Sequence, residues 1–148
     1  MPILNYTTTI AVEKTLGEIQ GILARHGIKS ISLEYSKGIP TGLTFVIPTQ
    51  FGDRQFRLPA NLGGIQKTLQ RQYQEGRVAP RFATPEHAAR VAWRILKDWI
   101  AAQMAIVEAG MVRLDEVMLP YLLADDGRTL YVTLVEHELR LLPERTPA

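Results

Sequence analysis

The 148-residue chain contains no cysteine. That single absence removes disulfides, thiolate metal sites and cysteine nucleophiles together. No apolar run approaches the ~18 residues of a membrane-spanning helix. The opening residues, MPILNYTTTI, lack the basic and apolar regions of a secretory signal. A soluble cytoplasmic protein with no membrane partner is therefore expected. Histidine is scarce: His26, His87 and His137 fall in separate helical stretches, and none belongs to an HExxH motif. His26 suits a helix end and His87 an exposed turn, so neither calls for a ligand. A GxSxG elbow, a GxxxxGK phosphate loop and a GxGxxG turn are all missing. Asp125-Asp126-Gly127 lacks EF-hand spacing and the closing glutamate, and a tight turn accounts for it. No catalytic residue, metal ligand or cofactor can be named, and a non-enzyme is the plainer reading.

What the chain does have is one long helix signal. Residues 84–112 open with Thr84 as a cap, Pro85 at the first helical position and Glu86 at the positive end of the dipole. Ala88, Ala92, Ile95, Trp99, Ala102, Ile106 and Ala109 recur at steps of four and three. Val91, Leu96, Ile100 and Met104 widen that face, so this helix is expected to anchor the core. A second stripe shares it: Arg90, Trp93, Arg94 and Lys97 fall at i, i+3, i+4 and i+7. An indole amid three cations suits phosphates and bases. It equally suits a solvated face with one half-buried tryptophan.

Around this helix the pattern predicts a single α+β domain. Residues 1–60 form a sheet-bearing half with one helix, 61–83 a short helix and a mobile basic loop, and 84–142 a helical half. Ile3 to Ile10 alternates like a strand, and Val12, Leu16, Ile19 and Leu23 then switch to helical period before Gly27. Three strands follow: one carrying Ile31, Leu33 and Tyr35; one delayed by Pro40 to about Gly42; and Arg54 to Leu58. Together these make a mostly antiparallel sheet, strand-helix-meander, packed against the long helix and further C-terminal helices. Asn61 caps a helix weakened by Gly63 and Gly64. A short helix near Pro120 and a loose tail from Pro143 are expected. Residues 129–135 read either as a helix capped by Thr129 or as a strand.

Charge is uneven although the total is only +2. Residues 1–51 carry four basic and three acidic residues, 52–97 nine and three, and 98–148 four and nine, giving +1, +6 and −5. Such asymmetry points to an anionic partner for the middle, to contacts between copies, or to two segments that face each other in the fold. Within the middle, Lys67, Arg71, Arg77 and Arg81 interleave with Tyr73 and Phe82. Cations between aromatics are what a nucleic-acid single strand requires. Basic loops and packed tyrosines are also common without that role.

NYTTTIAVEKTLGEIQGILARHG at the start, with RVAWRILKDWIAAQMAIVEAGMV and LPYLLADDGRTLY later, resembles small uncharacterised proteins of bacteriophages, prophages and mobile elements. The resemblance implies intracellular action in a mobile element's life cycle and brings no catalytic residues with it. The leading expectation is a non-enzymatic binder of single-stranded DNA or RNA. Its residues would be Arg57, Lys67, Arg71, Tyr73, Arg77, Arg81, Arg90, Trp93, Arg94 and Lys97. The alternatives are a protein–protein module, such as an inhibitor of a host defence protein or a homo-oligomeric scaffold, and a pocket for a small nucleotide-like anion.

Overall fold

A computed structural model describes residues 1–141. Leu142 and the tail expected to be loose lie outside the described residues. The sheet is an antiparallel meander of β1 (Ser30–Ser36), β2 (Ile39–Thr49) and β3 (Gly52–Arg57), in that spatial order. Lys37 and Gly38 join the first pair with φ of 51° and 78°, the left-handed pair that a two-residue hairpin demands. Pro40 does not delay β2. It sits opposite Tyr35, where the register shifts, so its missing N–H disturbs no regular ladder.

One face of the sheet is apolar because the strands alternate. Leu43, Phe45, Ile47 and Phe56 are buried, and Phe45 and Phe56 are cross-strand partners whose rings stack at 5.9 Å. Helices α1 (Val12–Arg25) and α3 (Pro85–Glu108) cover that face with Leu16, Ile19, Leu23, Trp93, Leu96, Ile100 and Met104. Helix α2 (Leu62–Gln74) packs against another side of α3, where Leu69 meets Ala88 and Val91. Two cores thus share α3, which explains its broad apolar surface. Its start is built as expected: Thr84 Oγ1 accepts from the His87 N–H at 3.2 Å, with Pro85 next. Thr84→Ala is expected to lower stability by about 1 kcal/mol in urea unfolding, with an unchanged slope.

Several local expectations need correction. Residues 3–10 form turns, not a strand, and Asn5 has φ of 64°. Alternation needs a pairing edge, and this segment instead lies over α2 and α3. Ile3 N–H donates to Gln72 Oε1 at 3.1 Å, Asn5 Nδ2 to Asp98 Oδ2 at 2.9 Å, and Ile3 and Tyr6 fill the second core. The stretch from Gln66 is not a frayed loop, because α2 continues to Gln74. Its stripe is Leu62, Ile65, Leu69 and the buried Gln72, a helical spacing disguised by one polar member. The segment around Pro120 divides into α4 (Leu114–Val117) and a 3-10 turn (Leu119–Tyr121). After it, Leu122 and Leu123 run extended beside β3. The last element is helical: α5 (Leu130–Glu136) begins with Thr129 Oγ1 accepting from Val132 N–H at 3.3 Å.

Candidate functional site

The stripe on α3 is not a solvent face. Trp93 is fully buried and its Nε1–H donates to the Pro40 carbonyl at 3.0 Å. Its indole is core, and no base can stack on it. Arg94 crosses to α1, with Nη1 2.5 Å from Glu18 Oε2 and 3.4 Å from Thr15 Oγ1. Lys97 lies 3.9 Å from Asp98. The four residues do share one helical face, but α3 is enclosed on several sides, so a mixed stripe can point inward.

Other basic candidates are also engaged. Arg57 pairs with Glu34 at 3.0 Å on the sheet face away from the helices. Arg71 and Arg77 both approach Glu75, at 3.8 and 3.2 Å. Among the described ion pairs, Lys97–Asp98 alone joins the basic middle to the acidic last third, and those residues are neighbours in sequence. The two charged segments therefore do not neutralise each other. Lys67 and Tyr73 remain exposed on α2.

Arg81 and Arg90 are brought together. They line one pocket of about 380 Å³ with Thr7, Thr8, Thr9, Phe82 and His87. Arg81 sits on a 3-10 turn (Pro80–Phe82), its guanidinium 4.5 Å over the Phe82 ring centre. Phe82 in turn meets Tyr6 edge to face at 5.5 Å. Arg90 Nη2–H donates to His87 Nδ1 at 3.3 Å, and His87 Nε2 contacts the Tyr6 carbonyl. The tautomer that satisfies both contacts carries its proton on Nε2. His87 is thus buried, not exposed, and ties the N-terminal segment to α3. Neither Arg81 nor Arg90 has a carboxylate partner among the described residues. Two guanidiniums, neighbouring threonine hydroxyls and the positive end of α3 are the kinds of group that recognition of an oxyanion such as phosphate would require.

A larger groove, about 1250 Å³, lies on the sheet face away from the helices. Its floor is Ser30, Ser32, Thr44 and Gln55, and residues 122–125 and 127 form one wall. Lys29, Arg54 and Arg57 are offset there by Asp53, Asp125 and the paired Glu34, so the groove offers phosphate little net attraction.

The sequence offers Arg81 and Arg90 as separate candidates and gives no sign of their common pocket. It does not mark Thr7, Thr8, Thr9 and His87 as walls of that pocket. The run of three threonines is the available signal, and its strand-like alternation masks it. Among the described residues, no three His, Asp or Glu side chains gather as a metal site, and no helix is long and apolar enough to cross a membrane. No protein-family model, curated protein or solved structure matches this chain.

Proposed function

We propose that this chain is a non-enzymatic binder of single-stranded DNA or RNA, with its phosphate site at Arg81 and Arg90. The observation that carries the reading is the convergence of two guanidiniums, free of carboxylates among the described residues, on a threonine-walled pocket. A single strand is favoured because its flexible backbone can turn one phosphate-bearing unit into a pocket of this size. Lys67 and Tyr73, exposed on α2, offer further phosphate and base contacts. Helix α2 abuts the Arg81 turn through Gln66 Nε2–H donating to the Ala83 carbonyl at 3.1 Å.

Fluorescence anisotropy with labelled oligonucleotides tests this. Wild type is expected to bind single strands saturably and to weaken steeply as salt rises. Arg81→Ala and Arg90→Ala should each weaken binding roughly tenfold or more, as for loss of a charge-assisted phosphate contact. Lys97→Ala, outside the pocket, should change it little. No binding at low salt, or full binding by the Arg81→Ala/Arg90→Ala double variant, would sink the proposal. The same small volume favours a second reading, a free nucleotide-like anion. Equal affinity for a mononucleotide and a long oligonucleotide would select that reading.

A further inference from the structure

The two sides of the sheet are finished differently. Beyond β3 the chain supplies its own cover: Phe56 and Leu122 form an antiparallel bridge, and Leu123 N–H donates to the Gln55 carbonyl at 2.8 Å. Beyond β1 no described residue pairs. The ladder shows which groups are left bare. Leu58 N–H donates to the Leu43 carbonyl at 3.0 Å, so the main-chain groups of Leu43 face β3. Successive residues of a strand alternate, so Gly42, Thr44 and Val46 face β1, opposite Glu34, Ser32 and Ser30. Ile31 and Leu33 must then direct their N–H and C=O groups outward, and neither has a backbone or side-chain partner among the described residues.

Bare edges are normally blunted with lysine, proline or a strong bulge. Ser30–Ser36 contains neither lysine nor proline, and its register is regular until the shift between Glu34 and Tyr35. We infer that two copies of this chain pair antiparallel through β1, about a two-fold axis at Ser32, into one continuous six-stranded sheet. The sequence is self-complementary in that register. Ile31 of each copy lies opposite Leu33 of the other, and both residues extend the apolar face that already packs on the core. Every outward N–H and C=O of these two residues finds its complement. Ser32 faces Ser32 across the axis, and Glu34 faces Ser30, so no like charges oppose. Residues 122–123 cover the far side of each sheet, so the assembly closes as a dimer and does not grow into a fibre. Neither Arg81 nor Arg90 takes part, so the dimer and the phosphate site stand or fall separately.

Two variants of the full chain test the pairing. The native chain has no cysteine, so Ser32→Cys creates a single thiol. At the axis it occupies a non-hydrogen-bonded pair, where opposed side chains come closest. Mild oxidation is expected to give a disulfide-linked dimer with Ser32→Cys and none with Thr44→Cys, on the neighbouring strand. Wild type should sediment as a dimer at micromolar concentration. Ser32→Lys, which sets two ammonium groups against each other, should raise the dimer dissociation constant at least about tenfold at unchanged helical circular dichroism. A wild type that stays monomeric up to roughly 100 times micromolar, or pairs only with an added peptide, would overturn the inference. So would a dimer that survives Ser32→Lys while Ser32→Cys fails to cross-link, because another surface would then hold it.

Discussion

Trp93→Ala is expected to remove about 3–5 kcal/mol of folding stability. The sequence stripe suggests Trp93 as a nucleic-acid contact or a half-buried indole, whereas in the fold it is fully buried among residues of α1, α3 and the sheet. Truncating a buried tryptophan costs about 3–5 kcal/mol, against a total of about 5–15 kcal/mol for a domain of this kind. The urea midpoint should fall steeply, and any loss of oligonucleotide binding should track the fraction unfolded. Trp93→Phe separates the two contributions of the indole. It keeps most of the ring but leaves the buried Pro40 carbonyl without its donor, at about 1–3 kcal/mol. Should Trp93→Ala keep its stability and lose only binding, the burial of this side chain would be wrong.

The second large effect is expected at Arg94 and Glu18, which join α3 to α1. Their side chains are 16% and 33% exposed, and Thr15 beside them is fully buried. Water screens this pair far less than the exposed Lys29–Asp53 pair at 59% and 50%. Glu18→Ala strands a guanidinium against the core, and about 2 kcal/mol of stability should be lost. Arg94→Met keeps the aliphatic stem and should leave Glu18 free to turn toward solvent, at lower cost. The double variant should be less destabilised than the sum of the singles, by about 1–2 kcal/mol of coupling. Additive effects would show that the pair contributes nothing beyond its separate parts. Lys29→Ala should change stability by less than about 0.5 kcal/mol.

These two residues also show where the sequence could be read and where it could not. Arg94 and Trp93 fall on a stripe with Arg90 and Lys97, and the helical period was legible. Period tells which side chains share a face. It does not tell what that face meets. Helix α3 is covered by the sheet and α1 in one direction and by α2 in another, so its tryptophan goes inward and Arg94 goes to Glu18. The N-terminal segment failed for a related reason. Ile3 to Ile10 sets Leu4, Tyr6, Thr8 and Ile10 against Asn5, Thr7 and Thr9 as a strand does, but strand formation needs an available edge, and this segment is held by Gln72, Asp98 and His87 instead.

By itself the sequence determined the α+β class, the three-strand meander, the helix start at Thr84-Pro85 and the helix end at Gly27. Each of these rests on local physics: hydrophobic period, capping hydroxyls and residues that tolerate positive φ. Tertiary structure alone decided which cations are spent in ion pairs, that Arg81 and Arg90 share a pocket with three threonines, and that, among the described residues, β3 has a neighbour on its outer edge and β1 has none. Those outcomes depend on groups far apart in the chain, such as Arg94 with Glu18 and Leu122 with Phe56. No local pattern encodes such distances, because pairing energy is collected only after the intervening chain has folded.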